Sequence, residues 1–129
     1  VTQQRAYIDT LQRQINIQRR RYGFNSYDRN PLLQQAAQKR AKELAEKFSH
    51  ARPNGYSWAS AISMRYNFKK ASELTARYYT DPQEVVDAWM SKASTKAKII
   101  SKRYNEIGVG VYLDEDGYLY YAVIVARKK

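Results

Sequence analysis

The sequence predicts an α+β sandwich, on three observations. Apolar residues recur at helical spacing through the first helix-like segments. The last quarter of the chain then switches to strict alternation, and an acidic, glycine-ended turn joins its two alternating runs. Helices first and a hairpin last bury their apolar faces against one another as packed layers.

The first helix is expected over residues 2–22. Ile8, Leu11, Ile15 and Tyr22 form its apolar stripe, Gln and Arg fill the remainder, and Gly23 ends it by accepting a left-handed conformation. A second helix is expected over residues 31–48, with Asn30 as N-cap and Pro31 at the first helical position. Its stripe is Leu33, Ala37, Ala41, Leu44 and Phe48, and so many alanines imply close packing on another layer.

Residues 51–70 are irregular, opening on the turn Arg52-Pro53-Asn54-Gly55, with Trp58, Ile62, Met64 and Phe68 expected to be partly buried. Ser72 is expected to cap a short helix containing Glu73, Leu74 and Arg77. Another begins with Asp81 as N-cap, Pro82, and Glu84 reaching back as in a capping box. Val85, Val86, Trp89 and Met90 supply its buried face. A further short helix is expected over residues 95–102.

In the hairpin, Ile107, Val109, Val111 and Leu113 alternate with Gly108, Gly110 and Tyr112. Residues 114–117 turn the chain into a second strand over 118–127. Both alternate sets of that strand are apolar or aromatic, so the sheet is expected to be covered on both faces. Gly108 and Gly110 share a face on which a helix can approach the backbone closely.

At 129 residues the chain is read as one domain, residues 1–129. Cysteine is absent, which excludes thiolate zinc sites, a cysteine nucleophile and a disulfide framework. No apolar run approaches the roughly 20 residues of a membrane-spanning helix. No signal peptide or lipidation pattern is visible in the residues shown. The formal charge of +11 makes polyanions the default electrostatic partners. Arg19, Arg20 and Arg21 on the first helix, with Lys39 and Lys42 on the second, lie off the apolar stripes and are read as a basic surface. His50 is the only histidine, so neutral-pH acid–base chemistry by imidazole runs through it alone.

These landmarks resemble the CAP superfamily, also called SCP-like, in its cysteine-free bacterial branch. Asn16-x-x-Arg19-x-x-x-Gly23 is similar to the end of that family's first helix. Leu33-x-x-x-Ala37-x-x-Arg40-Ala41 is similar to its second, followed by Phe48-Ser49-His50 and Pro53-Asn54-Gly55. Ala88-Trp89-Met90 and Ile107-Gly108-Val109-Gly110 complete the series in order.

The resemblance implies a three-layer α-β-α sandwich with a central antiparallel sheet and a large cleft. In many members two histidines and two acids line that cleft and hold a divalent metal. His50 stands where the first histidine would, and Glu73 where the first acid would. Lys92 falls at the second acid and Thr95 at the second histidine, leaving half of the tetrad. Two ligands are fewer than a zinc site uses, so no metal or other cofactor is expected.

The resemblance also implies a secreted or cell-surface location. The function expected from it is a non-catalytic, extracytoplasmic module binding a cell-envelope polyanion, a lipid or a host-surface ligand. The alternative is a hydrolase with His50 as general base, Glu73 orienting it, and Ser49 or a water as nucleophile. A third reading is a basic nucleic-acid-binding domain, although no specific nucleic acid is expected. Oligomeric state is not legible in the sequence.

Overall fold

The computed structural model describes the backbone of residues 2–129 and the side chains from residue 4 onward. Its elements run in the order α1 (Thr2–Arg21), β1 (Asp28–Arg29), α2 (Pro31–Glu46), a 3-10 turn (Trp58–Ala61), β2 (Phe68–Arg77), α3 (Pro82–Met90), α4 (Ala93–Ile99), β3 (Glu106–Leu113) and β4 (Leu119–Lys128). The sheet order is β1-β3-β4-β2. All pairings are antiparallel except that of the two-residue β1, which runs parallel to β3, so the sheet is mixed at one edge.

Alternation along β3 and β4 separates two cores. Val109, Val111, Tyr121, Val123 and Val125 face Leu11 and Ile15 of α1, Val85, Val86 and Trp89 of α3, and Ile99 of α4. Ala122, Ile124 and Ala126 face the opposite way, onto Leu33, Ala36, Ala37, Ala41 and Leu44 of α2. Both faces of the hairpin are therefore dry, and three layers result.

The glycines set the spacing of the second interface. A Cβ on Gly108 would lie 2.1 Å from the Leu33 carbonyl oxygen, and one on Gly110 would lie 2.2 Å from that of Ala37. Only hydrogen fits there, so α2 rests directly on the strand backbone. Gln34 and Gln38 of α2 also service the outer edge of β3. The Val109 and Val111 N–H groups donate to Gln34 Oε1 and Gln38 Oε1 at 2.9 and 3.1 Å, and Gln38 Nε2 donates to the Val111 carbonyl at 2.8 Å. These bonds satisfy backbone groups that β1 is too short to reach.

The caps follow their chemistry. Asn30 accepts from Leu32 N and Leu33 N, and Asp81 accepts from Gln83 N, each with proline at the start of the helix. Glu84 adds its charge to the first turn of α3 without the reciprocal bond of a capping box.

Other local expectations are corrected. Residues 72–77 are not a helix but lie inside strand β2, with Glu73 opposite Ile124 and Leu74 opposite Val123. The fourth helix spans Ala93–Ile99 and not residues 95–102. Met64 is not buried; it is 96% exposed. Phe48 lies beyond the end of α2 and stacks under the Arg77 guanidinium, whose carbon is 4.3 Å from the ring centre.

Candidate functional site

Strand β2 and helix α2 build the site by bringing Glu73 and Arg40 together. Glu73 points to the α2 face of the sheet, and Arg40 sits within the apolar stripe of α2, three residues after Ala37 and four before Leu44. Both are almost fully buried. The pair is bidentate: Arg40 Nε donates to Glu73 Oε2 at 2.7 Å and Nη2 to Oε1 at 3.2 Å. Arg40 also donates to the Ser49 carbonyl at 2.6 Å and to Glu43 Oε1 at 3.0 Å. Those bonds secure the segment that carries His50.

His50 Nδ1 lies 2.7 Å from Glu73 Oε1. A carboxylate only accepts, so Nδ1 carries the proton and donates, which turns Nε2 outward. The imidazole side chain is 60% exposed. A second ion pair braces the loop: Arg52 Nη2 bonds Glu43 Oε2 at 2.8 Å. Burial opposes ionisation of Glu43, but bonds from Arg52 and Arg40 outweigh it and hold its carboxyl below the ordinary value. Burial likewise disfavours the charged form of Arg40, yet Glu73 and Glu43 more than compensate and raise its pKa.

Lys98 of α4 closes the other side, its Nζ donating to the Glu73 carbonyl at 2.9 Å. Burial lowers its pKa, the Glu73 charge opposes that shift, and the like charge of Lys92 adds to it. Lys92 and Thr95 line a neighbouring cavity of about 330 Å³ with Phe48, Arg77 and Trp89. Thr95 Oγ1 donates to the Trp89 carbonyl at 2.6 Å, a local bond at the start of α4.

His50 and Glu73 thus form a pair in direct contact, whereas Lys92 and Thr95 lie at a neighbouring cavity. Among the described residues no three of His, Cys, Asp and Glu converge where an ion could be held. The family's metal does not fit this donor set: both oxygens of Glu73 are engaged by Arg40, and cationic groups stand around it. Ser49 Oγ accepts from Ala51 N at 3.0 Å, as part of the local turn.

The basic surface needs one correction. Arg20, Arg21, Lys39 and Lys42 are exposed, but Arg19 is only 3% exposed. Its Nε donates to Asn25 O at 2.6 Å, and Nη1 donates to Ile99 O at 2.6 Å and Ser101 O at 2.9 Å. The guanidinium carbon sits 3.6 Å from the Tyr27 ring centre. Asn16 holds the same loop by exchanging two hydrogen bonds with the Tyr27 backbone. These four exposed charges lie on α1 and α2, which cover opposite faces of the sheet.

Comparison with known proteins agrees with this architecture. The model of the CAP, or cysteine-rich secretory protein, family matches residues 12–125. The chain belongs to the CAP family. It does so without a cysteine. An uncharacterised protein of Bacillus subtilis, YkwD, is 27% identical over 108 residues, covering 81% of this chain and 42% of that relative. The chain therefore spans less than half the length of that relative.

Solved CAP structures share the fold. An outer surface protein from Borrelia burgdorferi superposes with a TM-score of 0.85 at 22% identity, over 96% of this chain and 94% of the other. An extracellular SCP-domain protein from Bacillus anthracis gives 0.87 at 20% identity, over 97% of this CAP domain and 41% of that chain.

The sequence reading missed Arg40, Glu43, Arg52 and Lys98 as parts of the site. A signal for Arg40 was present, since a cation inside an apolar helical stripe must find buried hydrogen-bond acceptors. Arg52 and Lys98 carried no such mark.

Proposed function

We propose that this CAP domain is a non-catalytic binding module acting outside the cytoplasm, and that its ligand is a polyanion of the cell envelope. The reading rests first on Glu73: a carboxylate 1% exposed and locked in a two-pronged bond to Arg40 is a structural brace. It is unsuited to recruiting a cation, and Lys92 and Thr95 replace the partners that would help it. The charge of +11 supplies long-range attraction for anionic polymers. The surface or extracellular description of the neighbours from Borrelia and Bacillus anthracis supports the location.

Retention on anionic polymer and anionic lipid supports, followed from low to physiological salt, tests the reading. Exposed charges are screened over about 8 Å at physiological ionic strength, so retention should fall steeply. Arg20→Gln with Arg21→Gln should reduce it on every support and leave the melting temperature unchanged. Tight binding to one ligand that ignores salt would overturn the proposal.

One observation favours a second reading. The 2.7 Å His50–Glu73 contact leaves an exposed, oriented imidazole, the arrangement a general base needs to activate water. Hydrolysis of an ester or glycoside substrate that disappears in His50→Ala with stability intact would make this the correct assignment.

A further inference from the structure

Arg19 is a buried cation with no acid beside it. Among the described residues its hydrogen-bond partners are three backbone carbonyls, and no carboxylate is among its electrostatic partners. Carbonyl dipoles and the Tyr27 face offset part of the cost of burying this charge, but they supply no counter-charge. Nη2 makes no hydrogen bond in the described structure, and no fully buried side-chain nitrogen is left unpaired, so this corner of the guanidinium retains access to a cavity.

That cavity has a volume of about 290 Å³ and lies between the end of α1 and the segment entering β3. Two more cations line it, Lys102 and Arg127, together with Asn25, Ser26 and Asn105, and among the described residues no acidic one does. Arg127 is held in place by its own bonds: Nε donates to Arg103 O at 2.9 Å and Nη2 to Lys102 O at 2.8 Å. Arg20 Nη1 donates to Ser26 Oγ at 3.0 Å, which puts a fourth positive charge at the rim. Two guanidinium groups fixed by backbone carbonyls, with the exposed Lys102 ammonium beside them, form a preorganised receptor for a tetrahedral oxyanion.

We infer that this cavity is a phosphate-binding site, with Arg19, Lys102 and Arg127 as its charged donors. A phosphate group brings up to two negative charges and several acceptor oxygens, which suits three cations better than a single carboxylate would. The inference rests on the polyanion reading for where such a group would come from, though not for the cavity itself. Free phosphate, a phosphomonoester and a phosphodiester polymer share the recognised chemistry.

The experiment uses amide correlation spectra of the whole chain, titrated with inorganic phosphate at constant ionic strength against sodium chloride. Backbone signals of Gly23, Asn25 and Asn105 should move saturably with phosphate and not with chloride. Lys102→Gln with Arg127→Gln should weaken the apparent affinity at least about tenfold. Because Arg19→Gln can fail to fold, the single Lys102→Gln variant, altering an exposed side chain, provides the independent check and should weaken binding severalfold. No movement of these signals, or equal movement in the double variant, would overturn the site.

Parallel titrations with glycerol 3-phosphate and poly(glycerol phosphate) separate the sources. Binding of inorganic phosphate without retention of the polymer keeps the site and rejects the polyanion function. Polymer retention with no phosphate response in these signals does the reverse.

Discussion

Replacing Arg40 by methionine should be among the most damaging single changes in this domain, although both side chains are long and pack similarly. In the native protein Arg40 is 0% exposed and Glu73 1% exposed, with hydrogen bonds of 2.7 and 3.2 Å between them. Methionine fills the volume but abandons a buried carboxylate. Removing one partner of a buried ion pair costs about 3–5 kcal/mol, most of it from the charge left behind. The Ser49 carbonyl and Glu43 lose donors as well, which adds about 1 kcal/mol for each bond not replaced by water.

Against a typical domain stability of about 5–15 kcal/mol, Arg40→Met should remain foldable but weakened. With a urea slope of about 2 kcal/mol per molar, the midpoint should fall by about 1.5–3.5 M. The control is Arg40→Met combined with Glu73→Leu, in which neither charge remains. That variant should recover about 2 kcal/mol relative to the sum of the singles. Urea unfolding of the four proteins at neutral pH decides the matter. A loss under about 1 kcal/mol in Arg40→Met, or strict additivity in the cycle, would refute the reasoning that the pair is a closed structural unit.

Gly110→Ala should cost about 2–4 kcal/mol, because the new methyl meets the α2 backbone and the Gln38 bonds to Val111 are strained together with it. Thermal melting measures the loss, and a melting temperature within a degree or two of the parent would count against backbone contact there. Glu43 governs part of the acid stability. Its folded pKa lies below the ordinary 4.5, so the stability it adds is present above that value and lost as pH falls through the lower folded one. Glu43→Gln should therefore weaken the protein at neutral pH and flatten its decline below about pH 4.5; parallel urea midpoints across pH 7 to 2 would contradict this.

Local chemistry was enough to read α1, α2, α3 and the closing hairpin. Their periods differ, their caps are side chains adjacent in sequence, and Gly108 and Gly110 announce a close approach whatever the partner. The order of the family's motifs then made the three layers legible.

Residues 68–77 were undecidable locally. Ser72-Glu73-Leu74-Thr75-Ala76-Arg77 has no strong preference of its own, and it is a strand because β4 offers an unpaired edge some fifty residues later in the chain. The arginines show the same limit more sharply. Arg19 and Arg20 are identical neighbours in sequence, yet one is buried and the other exposed. The difference comes from carbonyls of Ile99 and Ser101, about eighty residues away, which take the place of water around one guanidinium. Arg40 finds Glu73 across 33 positions in the same way. Which acceptors cage a buried charge depends on what the layers bring to it, so the partners of this domain's buried cations emerge only when the sandwich closes.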